Sequence, residues 1–248
     1  MRVIARLDVK NEHVIKGVQM EGLRKIGKPN EMARRYYSAG IDEIIFIDCV
    51  ASLYGRPGIF PILRQASEEI FVPITIGGGI KSLDDVEAAL DSGADKIAIN
   101  TAATRSPELI TEVARRYGSQ CVVGSIQSKK SAGSWEAYVD AGRERTGLRV
   151  VEWAKRLEDL GTGELLVTSV DRDGTRSGFD VEVIAAVNDA VSIPVIAAGG
   201  FGKGDDVIDL LKLTKPSGIC FSSVLHYNKM TVEQLKAIPG MNREGSSS

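Results

Sequence analysis

The sequence predicts an α/β fold, a (βα)8 TIM barrel with a twofold internal repeat, and three observations carry that expectation. Short apolar runs alternate with longer amphipathic ones from end to end, the pattern of βα units around a parallel sheet. Eight such runs are present, enough to close a barrel. The third observation is a repeat: the run 72–80, containing Gly77, Gly78 and Gly79, lies 121 positions before the run 193–201, containing Gly199 and Gly200. Seven identities fall in that ungapped register, namely Pro73/Pro194, Gly78/Gly199, Gly79/Gly200, Asp84/Asp205, Asp85/Asp206, Val86/Val207 and Leu90/Leu211. An open doubly wound sheet is the rival architecture, but it does not require one half to repeat the other. A single barrel over 1–248 follows, with half-barrels at about 1–119 and 120–240 and a polar end, 241–248, expected to fray.

In such a barrel the chemistry gathers where strands end, because the following loops converge on one face. The first strand, 3–7, ends at Asp8; the second, 43–47, ends at Asp48. The third, 73–76, runs into the three glycines, and the fourth, 96–99, into Asn100 and Thr101. The fifth, 121–126, ends at Gln127, and the sixth, 164–169, precedes Asp171 and Asp173. The seventh, 194–197, leads to Gly199 and Gly200, and the eighth, 218–221, to Ser222 and Ser223. Among the helices, Ser106 before Pro107 reads as a cap with proline at the first position, and Thr231 with Gln234 has capping-box spacing. Two connections are long, from Lys16 to Pro29 and from Ser128 to Thr146; both are lid candidates, with a plain decorated loop as the alternative. Within the second, 135–139 reads as one arm of a hairpin.

The chain has 248 residues, 43% of them hydrophobic, which supports one large core. Its net charge of -2 provides no basic field for nucleic acid, so an anion must be held by local geometry. Cys49, Cys121 and Cys220 are far apart and lack metal-ligand spacing; buried thiols of a reducing cytosol are expected, and no metal or other cofactor. The opening residues enter strand-like sequence without a long apolar core, and no stretch could span a bilayer, so a cytoplasmic protein is expected.

Glycines at strand-to-helix turns let backbone N–H groups approach a phosphate, although a tight turn alone would also use them. Because the turn occurs twice, the second halves of each site being Asn100 with Thr101 and Ser222 with Ser223, two phosphates at opposite sides of one mouth are expected. Asp8 could serve as general acid or base, or simply pair with Lys10 or Lys16. The repeat calls for an ionisable partner near the end of strand five, but the residue there is Gln127, whose amide exchanges no proton at useful pH. Asp171 and Asp173 offer two carboxylates, one for a substrate hydroxyl or amine and one to brace Arg172, while Asp48 could contact substrate or cap a loop.

These residues resemble the cyclase subunit of imidazole glycerol phosphate synthase. The likeness covers nearly the whole chain. It is carried by Leu7-Asp8-Val9-Lys10 with Val14-Ile15-Lys16-Gly17, by 77–80, by Ile99-Asn100-Thr101-Ala102, by 168–175 and by Ala198-Gly199-Gly200. The resemblance implies a twofold barrel that binds a bisphosphorylated ribulosyl aminoimidazole and uses ammonia from a glutaminase docked on the opposite face. It implies that Asp8 is one catalytic aspartate, that Gln127 replaces the other, and that Lys16 contacts substrate. It also implies an ammonia entrance ringed by Arg2, Glu43, Lys96 and Glu164, with Asp95 facing the glutaminase. The stretch 123–126 before Gln127 resembles a divergent branch associated with surface polysaccharides, in which a non-cyclising barrel would pass ammonia toward a separate sugar amidotransferase. A sugar-phosphate isomerase and a binding module without catalysis share the two-phosphate plan.

Overall fold

Strongly apolar strands separated by amphipathic helices can bury both faces only if the sheet closes on itself inside a helical ring. The computed structural model describes residues 1–51 and 59–241, and it has this arrangement. The strands are β1 (Arg2–Lys10), β2 (His13–Val18), β3 (Glu21–Gly27), β4 (Glu43–Asp48), β5 (Ile74–Gly77) and β6 (Lys96–Ile99). They continue with β7 (Val122–Ser131), β8 (Ser134–Val139), β9 (Glu144–Arg149), β10 (Glu164–Ser169), β11 (Val195–Ala198) and β12 (Gly218–Phe221). The helices are α1 (Pro29–Ser38), α2 (Phe60–Ser67), α3 (Leu83–Asp91), α4 (Thr101–Arg105) and α5 (Glu108–Tyr117). After them come α6 (Val150–Asp159), α7 (Val181–Asn188), α8 (Gly204–Leu213), α9 (Ser223–His226) and α10 (Val232–Lys236).

Eight of these strands, β1, β4, β5, β6, β7, β10, β11 and β12, pair in parallel and close into a barrel. Each expected strand is present. Side chains facing the barrel axis form one apolar layer that includes Ile4, Ile45, Val123, Leu166, Ile196 and Cys220. The larger cluster lies between sheet and helices and includes Phe46, Leu63, Trp153 and Phe221. Both long connections are built from strands: β2 and β3 form an antiparallel extension of β1, and β8 and β9 one of β7. The arm expected at 135–139 is β8.

Thr231 and Gln234 form the expected capping box at α10. Ser106 does not cap α5: that helix begins at Glu108 with Pro107 in the cap position, and Ser106 closes α4. The Ser106 carbonyl instead accepts from Leu109 N, which shortens the junction between the two helices. Met241 also differs from expectation, because its side chain is buried in the outer core rather than frayed; 242–248 lie outside the described residues. Among the described residues no helix is long and apolar enough to cross a membrane.

His226 on α9 is buried, with Nδ1 2.7 Å from the Tyr36 hydroxyl. Burial, and then the Lys16 charge, push the ring down to about 4. An unfolded histidine titrates near 6.5, so the neutral folded ring contributes stability that is full above about pH 6.5 and is lost as pH falls through 4. The full loss is about 3 kcal/mol. Urea melts at pH 7 and 4.5 should show a smaller acid loss in His226→Gln than in the parent; equal losses would remove His226 from the acid sensitivity.

Candidate functional site

Along β1 every second side chain faces the axis, so Arg2, Ile4, Arg6 and Asp8 rise in order from the bottom of the barrel to its mouth. Asp8 Oδ1 accepts from Arg6 Nε at 2.8 Å, and its other oxygen lies 3.9 Å from Lys16 Nζ. Burial alone would raise the Asp8 carboxyl, but Arg6, and then Lys16, overcome it and hold it below the usual carboxylate range. Lys16 is brought back over the mouth by β2 and closes on Asp173, with Nζ 2.8 and 2.7 Å from its two oxygens. Arg6 was not singled out in the sequence, where it follows an apolar run. Only the inward phase of β1 marks it.

Gln127 stands at the corresponding place in the other half. Asp8 pairs with Ile47 and Gln127 with Thr168, in equivalent parallel strand pairs. Ile47 and Thr168 are separated by the same 121 positions as the glycine turns, so Gln127 is the structural counterpart of Asp8. By the same pairing Arg6, opposite Ile45, corresponds to Ser125, opposite Leu166. Gln127 is buried and its Oε1 accepts from Gly142 N at 2.7 Å. The amide therefore ties the β8–β9 turn to the mouth, a task that needs no proton exchange.

The two glycine turns are superposable in role. Gly78 has φ of 93° and a Cβ there would collide with the Asp48 carbonyl oxygen; Gly199 has φ of 91° and would meet that of Ser169. Only glycine allows both that φ and that approach. Asp8, Lys16, Asp48, Gly78, Gly79, Asn100, Thr101, Gln127 and Asp173 all line one cavity of about 430 Å³. Gly199, Gly200, Ser222 and Ser223 line a second, of about 20 Å³, which shares Arg6, Lys16 and Asp173 with the first. Backbone N–H groups at these turns can take phosphate oxygens, and the charged residues between them can orient a polar ligand.

Several side chains are committed locally. Asp48 Oδ1 accepts from Val50 N at 3.0 Å and Ala51 N at 2.9 Å, so it caps its own loop. Asp171 lines neither cavity; its carboxylate accepts from Lys130 N at 2.8 Å. Neither Asp171 nor Asp173 braces Arg172, which donates to the Ser177 carbonyl and hydroxyl instead. A tight turn points the two carboxylates elsewhere. Asn100 Nδ2 donates to the Tyr138 carbonyl at 3.5 Å, and Ser222 Oγ to the Arg6 carbonyl at 3.0 Å.

At the opposite end, four charges form a closed ring. Glu43 meets Arg2 at 2.8 Å and Lys96 at 3.1 Å; Glu164 meets Lys96 at 2.9 Å and also Arg2. Burial opposes ionisation of Glu164, but Arg2 and Lys96 outweigh it and lower its carboxyl. Asp95, exposed on the same face, accepts from Ile74 N at 2.8 Å.

Fold and site together define a twofold-repeated (βα)8 barrel with paired glycine turns at one mouth and a charged ring at the other. The sequence model of the histidine biosynthesis protein family matches residues 2–231. The imidazole glycerol phosphate synthase subunit HisF of Legionella pneumophila is 56% identical over 204 residues, 82% of this chain and 96% of that protein. Subunit HisF of Lactococcus lactis subsp. cremoris is 46% identical over 237 residues, 95% of this chain and 92% of that protein. The chain belongs to the HisF family, the cyclase subunits of imidazole glycerol phosphate synthase.

Proposed function

We propose that this protein is an ammonia-receiving barrel subunit that binds a phosphorylated substrate at its glycine-lined mouth, works with a glutaminase docked at the charged ring near Asp95, and cyclises poorly. The observation that carries this reading is Gln127 in register with Asp8. Closing an imidazole ring from a bisphosphorylated ribulosyl aminoimidazole requires proton transfers on both sides of the substrate, and an amide supplies none. Asp8 and Gln127 face the reacting centre, Lys16 and Asp173 orient it, and the turns at Gly78 and Gly79 and at Gly199 and Gly200 take the phosphates. Asn100, Thr101, Ser222 and Ser223 complete those two sites.

The same glutamine favours a second reading, in which the barrel passes ammonia onward to a sugar amidotransferase of surface-polysaccharide synthesis and closes no ring. The ring of Arg2, Glu43, Lys96 and Glu164 weighs against an isomerase, which needs no nitrogen. The test is co-expression with candidate glutaminases, followed by glutamine and each acceptor. A glutaminase should co-purify, and its glutamine hydrolysis should rise when the barrel is present. Failure of every glutaminase to bind, with isomerase activity in the barrel alone, would overturn the proposal.

A further inference from the structure

We propose that Arg6 is a positioning residue that holds Asp8 as a permanent carboxylate, so that this mouth carries a fixed charge on one side and the neutral Gln127 amide on the other, where a proton-transferring pair would otherwise stand. The proposal rests on the family reading, in that Asp8 is taken as the acid–base candidate. Its support is geometric. Arg6 is buried directly above the apolar layer; Nε donates to Asp8 Oδ1 at 2.8 Å, and a second guanidinium nitrogen donates to Thr168 Oγ1 at 2.9 Å. The guanidinium thus spans from β1 to β10 with two anchors of fixed direction, of which a lysine could keep the charge beside Asp8 but not the second bond. Thr168 is itself paired with Gln127, so one chain of contacts links the two counterpart positions.

The counterpart of Arg6 is Ser125, a short neutral side chain, so the departure from twofold symmetry at Asp8 and Gln127 is accompanied by a second one a layer below. A full cation lies against the remaining acid.

The other groups facing Asp8 do not reverse this. Lys16 from β2 adds positive charge at 3.9 Å, although it is shared with Asp173. His226 from α9 is neutral near pH 7, and burial, then the Asp8 charge, raise the Cys49 thiol at the end of β4, which stays protonated. Asp48 also lines this cavity, with its carboxylate turned to its own loop. A carboxyl so held has no proton to donate near neutral pH and accepts one weakly, which removes it from both acid and base duty.

The test is a carbon-13 NMR titration of the Asp8 side chain in the full chain, assigned by Asp8→Asn. In the parent the signal is expected to remain at its ionised position from pH 8 down to about 4.5, above the ordinary aspartate value. In Arg6→Gln an inflection should enter that window, and Arg6→Lys should restore most of the flat profile. An inflection for Asp8 in the parent, or none in Arg6→Gln, would overturn the proposal; the parent titration alone suffices should the variant not fold. No substrate or ammonia enters the measurement, so it stands or fails separately from the proposed nitrogen chemistry.

Discussion

Supplied with free ammonia and the bisphosphorylated ribulosyl aminoimidazole, the protein is expected to form imidazole glycerol phosphate roughly 100- to 10,000-fold more slowly than a family member with aspartate at the position of Gln127. The expectation follows from a longer, non-ionisable amide where a carboxylate would stand, on a side chain whose carbonyl is already committed to Gly142 N. Gln127→Asp restores an ionisable group but is one methylene shorter and loosens the β8–β9 turn. Gln127→Glu keeps the reach, and comparing the two separates the gain of an acid from the loss of the anchor. Either should raise product formation modestly, and adding Arg6→Gln should raise it further by freeing Asp8. Turnover in the parent equal to that of an ordinary cyclase would refute the expectation. Full recovery in Gln127→Asp alone would leave Arg6 without a catalytic consequence.

Gly78→Ala is expected to destabilise the fold by about 2–4 kcal/mol and to weaken binding of phosphorylated ligands. Two costs coincide there: φ of 93°, and a Cβ directed into the Asp48 backbone, which cannot move without shifting the end of β4. Gly22→Ala is the matched comparison. Its φ is also positive, at 61°, but nothing lies within 4 Å of the added carbon, so it should cost no more than about 1 kcal/mol. Urea unfolding of both variants checks this; equal losses would mean that backbone conformation, not close approach, is what glycine serves at the turn.

The strands were legible because each is a short apolar run buried on both faces, a requirement that acts locally on residue type. Strand ends were legible for the same reason, so Asp8, Gln127 and the glycines could be placed at one mouth. The helix junction at Ser106 was not, since whether a serine caps the following helix or closes the preceding one depends on a single hydrogen bond. Asp171 and Asp173 were interchangeable in the sequence. Only the turn after β10 decides that Asp173 meets Lys16 while Asp171 accepts from Lys130 N.

By itself the sequence determined the barrel, its repeat and the presence of an amide, Gln127, at the end of the fifth barrel strand, because hydrophobic periodicity and glycine spacing are properties of residues near one another in the chain. The tertiary structure decided the true register between halves. The 121-residue spacing of the turns would lay Arg6 on Gln127, whereas strand pairing makes the offset 119 at the first and fifth strands and sets Asp8 against Gln127. It also decided that Arg6 binds Asp8 and reaches Thr168, 162 positions away. Closure of the sheet brings those strands together around one axis, and a contact made by closure leaves no trace in local pattern.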